Sequence, residues 1–188
     1  MEPKEILEKL GVLKRGHFLL TSGNHSDIYF EKYRILSRPT YLKKILEFSY
    51  DFLKEIDFEV VVGPFTGGAI IATILALLLD KKAVFVEKEN DKFVIRRDFL
   101  IEPGSSCIVV DDVITTGGSI TKTIKACENI LKVKGILVII DRREKEEDFE
   151  VPFYAIYKQK ATIFSPQECP LCKNNIPLEI PGGKGKAI

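Results

Sequence analysis

IVVDDVITTGGSI, residues 108–120, is the stretch that does most to decide the fold of this chain. Residues 108–110 are apolar and all β-branched, which is typical of a buried parallel strand. Asp111 and Asp112 follow at its carboxyl end, where open α/β sheets bind their ligands. Residues 115–119 form a polar, glycine-containing loop that opens a predicted helix. A strand, a loop and a helix in this order indicate an α/β protein built on a parallel sheet.

The same stretch has the chemistry of a binding site for a phosphorylated sugar. The amides of residues 115–119 and the positive end of the helix dipole favour an anion, and glycines let a phosphate approach the main chain. Asp111 and Asp112 can accept hydrogen bonds from sugar hydroxyls or hold a hydrated Mg²⁺ ion. Aspartate and glycine also form ordinary turns, so the loop alone leaves a structural connection open. Two acids directly before the loop are harder to explain as a turn.

The rest of the chain alternates strand and helix patterns, as right-handed crossovers in a parallel sheet require. Apolar strands are predicted at residues 18–20, 28–30, 60–62, 83–86 and 135–140, helices at 3–10, 39–54 and 69–79, and a charged β-hairpin at 88–98. We predict a single domain, residues 1–188, with a doubly wound parallel sheet and a protruding β-hairpin. Within it, residues 58–160 form the α/β core, residues 1–38 a small N-terminal hood, and residues 161–188 a C-terminal tail.

Composition narrows the class of protein. The chain has 188 residues, 45% hydrophobic and 29% charged, which is typical of a soluble globular domain. Its formal net charge of +1 argues against a dedicated nucleic-acid binder. The longest apolar run, residues 69–79, is too short to span a bilayer, and residues 1–10 are charged and amphipathic, unlike a signal peptide. We therefore expect a cytoplasmic protein that binds neither nucleic acid nor membrane.

A second loop, GPFTGG at residues 63–68, also leaves an apolar strand and enters a helix. Its amides could hold a second anion, although such a loop alone is more often a structural turn. It lacks the Lys-Ser/Thr of a P-loop, and the chain has no GxGxxG fingerprint for a dinucleotide. Together the two loops predict two anion sites at neighbouring strand ends.

Three motifs resemble those of one enzyme family. IVVDDVITTGGSI resembles the phosphoribosyl-diphosphate (PRPP) signature of type I phosphoribosyltransferases. GHFLLTSGNHSDIYF, residues 16–30, resembles the N-terminal motif of orotate phosphoribosyltransferases, and VIIDRR, residues 138–143, matches a strand that ends in the orotate-binding arginine. The resemblance runs in order from Ile6 to about Gly183.

The resemblance implies transfer of the phosphoribosyl group of PRPP to orotate, with Mg²⁺ as cofactor, in a homodimer whose sites are shared across the interface. The implied PRPP-binding residues are Thr66, Gly67, Lys88, Asp111, Asp112, Val113, Ile114, Thr115, Thr116, Gly117, Gly118 and Ser119. Of these, Asp111, Asp112 and Lys88 are the expected catalytic residues, and the two acids are expected to reach Mg²⁺ through water. The implied orotate-binding residues are Thr115, Arg142, Tyr29 and Phe30.

Alternatives to these assignments stay open at this stage. The planar guanidinium of Arg142 suits a carboxylate, but Arg142 could instead pair with an acid at the sheet edge. A purine phosphoribosyltransferase would share the PRPP-binding residues. A non-catalytic PRPP-sensing regulator would also share them, although the near-zero charge and short chain leave little for a nucleic-acid-binding surface.

The chain departs from many bacterial members at the cations that would meet the diphosphate. Gly67 and Thr21 stand where those members have lysines, and the mobile loop is shorter. The cations left in that loop are Lys88, Lys92, Arg96 and Arg97. Lys88 corresponds to one family loop lysine, and its alternative is an ordinary solvated lysine.

Four cysteines complete the set of reactive residues. Cys107 and Cys127 are expected to be small core residues. Cys169 and Cys172 have the spacing of half a zinc site, but a single CxxC without a histidine nearby in sequence is more often structural or simply two thiols. His17 and His25 are expected to be turn or hydrogen-bonding residues and not metal ligands.

Overall fold

The computed structural model describes residues 1–20, 22–96 and 98–181. Its strands are β1 (Leu13–Leu19), β2 (His25–Phe30), β3 (Val60–Pro64), β4 (Lys82–Glu89), β5 (Lys92–Ile95), β6 (Ser106–Ile114), β7 (Lys132–Asp141), β8 (Phe153–Lys158) and β9 (Ile163–Phe164). Its helices are α1 (Pro3–Lys9), α2 (Tyr33–Leu36), α3 (Pro39–Leu46), α4 (Tyr50–Leu53), α5 (Gly67–Leu79), α6 (Gly118–Cys127) and α7 (Pro170–Lys173).

Six strands form the central sheet in the order β5-β4-β3-β6-β7-β8. Neighbouring strands from β4 to β8 pair in parallel, and only β5 runs antiparallel, beside β4. The signature strand β6 therefore lies inside the sheet, between β3 and β7. The predicted hairpin exists as β4 and β5, and it forms one edge of the sheet.

Alternation along β3 shows that both faces of the sheet are covered. Val61 packs in the cluster that contains Leu75 of α5, whereas Val60 and Val62 pack in the cluster that contains Cys127 of α6. Successive side chains of a strand point to opposite faces, so helices cover the sheet on both sides. Each fully buried aliphatic side chain stabilises this arrangement by about 1.5–3 kcal/mol. The predicted doubly wound α/β fold is confirmed.

The hood is a second, antiparallel sheet of β1, β2 and β9. Its third strand comes from the C-terminal segment, where Ser26 pairs with Ile163. Farther along, the amide of Leu19 donates to the carbonyl of Glu179 at 2.9 Å, and the amide of Glu179 donates to the carbonyl of His17 at 2.7 Å. The segment predicted as a tail thus completes the hood, up to residue 181, where the described part of the chain ends.

The predicted helix at residues 39–54 is interrupted. A 3-10 turn at Glu47–Ser49 separates α3 from α4. The buried Ser49 hydroxyl donates to the carbonyl of Leu46 at 2.6 Å, and such a side-chain bond to the backbone competes with regular helix. The sequence prediction also missed α2 and β8. None of the described helices has the length and apolarity needed to span a bilayer.

Candidate active site

The two predicted anion loops are neighbours at the carboxyl edge of the sheet, because β3 and β6 pair in parallel. α5 begins directly against the end of β6. A Cβ atom built on Gly67 would overlap the Asp112 carboxylate, and one on Gly68 would lie 2.8 Å from the carbonyl oxygen of Val110. Only glycine therefore permits this close approach. The Phe65–Thr66 peptide in the same loop is cis.

The signature loop has the predicted strand-to-helix form. β6 ends at Ile114, and α6 begins at Gly118 after Gly117, whose φ of +79° is a conformation that glycine adopts readily. Thr115, Thr116, Gly118 and Ser119 are exposed. The first N–H groups of an α-helix have no intrahelical partners, so the start of α6 offers donors towards solvent.

The two acids diverge, whereas the sequence pattern suggested that they emerge together after the strand. β6 continues through Ile114, so Asp111 and Asp112 lie within it and face opposite sides of the sheet. Asp112 lies beside Gly67 at the start of α5, and Asp111 lies beside Ser119 at the start of α6. Both are buried, at 7% and 5% exposure for Asp111 and Asp112. Each loop therefore has its own carboxylate.

Lys32, just after β2, is a site residue that the sequence analysis missed. Its Nζ lies 2.9 Å from Oδ2 of Asp112. The contact is an ion pair, and among the described residues Oδ2 has no other polar partner. Burial lowers the pKa of Lys32, but the charge of Asp112 and then of Asp111 outweighs burial and raises that pKa above its ordinary value. The ammonium of Lys32, from the hood, thus lies near the start of α5, where Gly67 supplies no side-chain cation.

Asp111 is held in an environment that disfavours its charge. Burial, followed by repulsion from Asp112, raises the pKa of Asp111 to about 7. The amide of Asp112 donates to Oδ1 of Asp111 at 2.8 Å and opposes the shift only in part. A carboxylic acid that titrates near neutrality in a cleft is typical of functional sites.

Arg142 follows β7 and is half-buried, and its buried Nε has no hydrogen-bond partner among the described residues. Its backbone amide donates to the carbonyl of Ile114 at 2.9 Å, which fixes it beside the signature loop. The guanidinium lies 4.9 Å above the ring of Phe30. Burial lowers the pKa of Arg142, and nearby Tyr29 and Asp27 offset this in part. Among the described residues no acid forms an ion pair with Arg142, so the alternative of a sheet-edge ion pair finds no support there.

Arg143, the next residue, is fully engaged. Its Nε and Nη2 donate to the two carboxylate oxygens of Asp141 at 3.0 and 2.9 Å. Its guanidinium also stacks 4.2 Å from the ring of Phe153. Burial raises the pKa of Asp141, but the hydrogen bonds from Arg143 outweigh it and leave that pKa below its ordinary value. Asp141 and Arg143 thus form a buried ion pair at the end of β7.

A cavity of about 560 Å³ lies between these groups, within the usual range for ligand pockets. Its lining comprises Thr115, Thr116, Arg142, Arg143, Glu144, Lys145, Glu146, Glu147, Ala161 and Ile163. Thr115 and Arg142 are thus brought together as the sequence suggested. Phe30 supports Arg142 from the hood, and Tyr29, next to it, is half-buried.

Lys88 is exposed on the hairpin, opposite Phe93 in the β4–β5 register. It lies two residues beyond Val86, whose carbonyl accepts a hydrogen bond at 2.9 Å from the amide of Phe65 in the GPFTGG loop. Arg96 pairs with Glu87 of the same hairpin at 3.2 Å. Arg97 and Thr21 lie outside the described residues.

Comparison with known proteins agrees with this arrangement. Residues 33–171 match the phosphoribosyl transferase domain family. Orotate phosphoribosyltransferase of Thermotoga maritima is 42% identical over 187 residues, covering 97% of this chain and 98% of the relative. The enzyme of the same name from a Thermoanaerobacter species is 40% identical over 188 residues, covering 98% and 99%.

Solved structures give the same result. Orotate phosphoribosyltransferase from Aeropyrum pernix superposes with a TM-score of 0.67 at 31% identity, covering 82% of this chain and 92% of the other. An adenine phosphoribosyltransferase from Thermoanaerobacter pseudethanolicus superposes with a TM-score of 0.59 at 19% identity, covering 70% and 88%, which shows a shared fold alone. With its two glycine loops, its buried acids and its near full-length relatives, this chain belongs to the orotate phosphoribosyltransferases.

Proposed function

We propose that this protein transfers the 5-phosphoribosyl group of PRPP to orotate, giving orotidine 5′-monophosphate and diphosphate in de novo pyrimidine synthesis. The observation that carries the proposal is the half-buried guanidinium of Arg142 next to the signature loop, whose buried Nε has no hydrogen-bond partner among the described residues. Leaving a buried polar group unpaired costs free energy, and a ligand carboxylate at that position would remove the cost. Orotate carries such a carboxylate.

PRPP would bind along the edge formed by the two loops. The loop Thr115, Thr116, Gly117, Gly118 and Ser119 would hold the 5′-phosphate, with Val113 and Ile114 positioning its start. Thr66 and Gly67 would contact the diphosphate at the start of α5. Asp111 and Asp112 would accept hydrogen bonds from the ribose hydroxyls between these two anions.

Orotate would occupy the adjacent cavity. Arg142 would form a bidentate pair with the carboxylate, a geometry that its planar donor fork favours. Thr115 would contact the ring from the loop side, and Tyr29 and Phe30 would close the site from the hood.

The residues themselves would catalyse mainly by positioning and charge. At C1 of the ribose the bond to diphosphate breaks with oxocarbenium character while a ring nitrogen of orotate attacks from the opposite face. Orotate is already an electron-rich anion, so no strong general base is needed. The buried carboxylate oxygens of Asp111 and Asp112 are the hard oxygen ligands that suit a hydrated Mg²⁺ ion. When bound with PRPP, that ion supplies positive charge to the departing diphosphate.

We further propose that Lys88 contributes a cation to the diphosphate from the β4–β5 hairpin of a partner subunit in a homodimer. Its side chain is exposed, and the β4–β5 hairpin forms one edge of the sheet, so both are accessible to a second copy of the chain. We place the enzyme in the cytoplasm, because PRPP is a highly charged metabolite that membranes retain.

The test is a spectrophotometric assay of orotate consumption with PRPP and Mg²⁺. Parallel reactions replace orotate with hypoxanthine or adenine, and others contain a chelator in place of Mg²⁺. We expect turnover with orotate and not with hypoxanthine or adenine. We also expect that turnover requires Mg²⁺. Turnover of a purine in place of orotate would identify a purine enzyme, and PRPP binding without any turnover would identify a PRPP-sensing regulator.

A further inference from the structure

Four metal-ligating side chains meet in the hood, away from the two loops. His17 comes from β1, His25 from β2, and Cys169 and Cys172 from the start of α7. One ligand atom from each residue lies within 4.8 Å of all the others. Cys169, His17 and His25 are buried, and Cys172 is exposed. The histidines that CxxC lacks nearby in sequence are therefore supplied by the hood hairpin.

The distances between ligand atoms match a single tetrahedral ion. His17 Nε2 lies 3.5 Å from Cys169 Sγ and 3.7 Å from Cys172 Sγ, and His25 Nδ1 lies 3.3 Å from Cys172 Sγ. The two ring nitrogens are 2.9 Å apart. Zinc bonds to nitrogen and sulfur of about 2.0–2.3 Å at tetrahedral angles place the ligand atoms about 3.3–3.8 Å apart. Since all four ligand atoms lie within 4.8 Å of one another, shifts of up to about 1 Å bring them to that geometry.

A second contact orients one of the imidazoles for metal binding. His17 Nδ1 lies 2.8 Å from the carbonyl oxygen of Ile176. A carbonyl only accepts, so Nδ1 carries the proton and donates it. Nε2 then presents its lone pair towards the cysteines. Metal-binding histidines generally use their other ring nitrogen in this way.

We propose that His17, His25, Cys169 and Cys172 bind one Zn²⁺ ion as a structural site. Two thiolates and two imidazoles in a tetrahedral arrangement favour zinc among the divalent metals. Four protein ligands leave no open position, which is typical of structural and not catalytic zinc. The ion would join both strands of the hood hairpin to the C-terminal segment.

The position of the ion suggests what it holds in place. β2 begins at His25 and ends at Phe30, the ring under Arg142. Five residues of strand span about 17 Å, so the ion lies too far from that arginine to take part in chemistry there. It anchors the strand on which the ring is placed.

The experiment uses the full chain, purified under reducing conditions without chelators and supplied with Zn²⁺. Elemental analysis should find one zinc per chain. Replacement by Co²⁺ should give the visible bands of a tetrahedral site together with a thiolate charge-transfer band. Removing the zinc with a chelator should lower Tm by roughly 5–10 °C, the shift produced by a ligand at about a hundred times its Kd in a chain of this length.

Two variants and a control test the ligand set. Cys172→Ser, at an exposed position, and His25→Gln should each lose the metal and the thiolate band or weaken both strongly, and chelator should no longer shift their Tm. Cys127→Ala removes a thiol outside the cluster and should retain one zinc per chain. Substoichiometric zinc in the unaltered chain, a disulfide between Cys169 and Cys172 in cells lysed with a thiol trap, or full zinc in Cys172→Ser would each overturn the proposal.

Discussion

Two groups of charged residues lie close together at the carboxyl edge of the sheet. They differ in how many of their charged atoms have hydrogen-bond partners. In the paired cluster, Asp141 and Arg143, every carboxylate oxygen receives a donor and the guanidinium stacks on aromatic rings. In the open cluster, Asp111, Asp112 and Arg142, the Oδ2 atom of Asp112 meets only the ammonium of Lys32, and the Nε of Arg142 is buried without a hydrogen-bond partner among the described residues. The paired cluster resembles a structural ion pair, and the open cluster resembles a site that awaits a ligand.

The difference separates residues that frame the site from residues that bind in it. Breaking a satisfied buried pair leaves an uncompensated charge and destabilises the fold. Removing an unsatisfied charge costs the fold little and can stabilise it, whereas it removes binding energy from the substrate. Neighbouring residues of the same type, Arg142 and Arg143, should therefore respond to the same substitution in opposite ways.

The largest effect is expected in the paired cluster. Arg143→Ala leaves Asp141 buried without its partner, which should destabilise the protein by about 3–5 kcal/mol and lower Tm by roughly 6–20 °C. Thermal unfolding followed by circular dichroism measures this change. Arg142→Ala is the matched control and should shift Tm far less. Equal shifts in the two variants would remove the distinction between the clusters.

The next effect concerns activity in the open cluster. Asp112→Asn keeps the volume of the side chain but removes the charge that would face the ribose and the metal. We expect kcat/KM for PRPP to fall about 100-fold, near the upper end for loss of a charge-assisted hydrogen bond. Steady-state kinetics give the ratio, and unfolding temperature serves as the control for folding. Activity near that of the unaltered enzyme would show that Asp112 forms the ion pair with Lys32 but does not bind substrate.

Arg142→Ala should separate the two substrates. The guanidinium would pair only with the orotate carboxylate, so KM for orotate should rise about 10- to 100-fold. The dissociation constant for PRPP, measured by calorimetry, should stay nearly unchanged. Equal weakening of both substrates would assign Arg142 to the framework together with Arg143.

Much of the open cluster could be predicted because its residues are close in sequence. Strand, acids, loop and helix follow one another within residues 108–120, and the sheet topology places residue 142 beside them. The sequence could also have predicted that Asp111 and Asp112 point to opposite faces of the sheet. Val113 and Ile114 continue the strand beyond Asp112, and strand periodicity then sends adjacent side chains to opposite faces.

The missed features are those assembled by tertiary structure. Lys32 reaches Asp112 from the hood, and nothing in its own segment indicates that contact. His17 and Cys169 are 152 positions apart in sequence, and their ligand atoms lie 3.5 Å apart. The pairing of β2 with β9 and the hydrogen bonds between β1 and Glu179 bring these segments together from opposite ends of the chain. Local patterns contain no information on such a pairing.

A smaller effect is expected from the hairpin. If Lys88 meets charge that builds on the diphosphate, Lys88→Ala should lower kcat about tenfold and change KM for PRPP less. Lys92→Ala, on the same exposed hairpin, is the matched control and should be nearly neutral. Mixing Lys88→Ala with Asp112→Asn should restore activity in heterodimers that hold one intact site. A mixture no more active than the sum of its parents would exclude sharing of the site through Lys88.

The last effect has the opposite sign: a gain of stability from the open cluster itself, because Asp111 is forced to ionise in an unfavourable environment. Its pKa is raised from 3.8 in the unfolded chain to about 7 in the fold, so the folded protein binds the proton more tightly. The stability that protonation contributes is fully present below pH 3.8 and is lost as pH rises through about 7.

Asp111→Asn stays neutral throughout and can still accept the hydrogen bond from the amide of Asp112. The ligand-free variant should therefore match the unaltered protein near pH 4 and exceed its Tm at pH 8 by several degrees. It should lose activity at the same time. If Asp111→Asn instead lowered Tm at pH 8, the charge of Asp111 would stabilise the fold, as that of Asp141 does. The distinction between the paired and open clusters would then be wrong for Asp111.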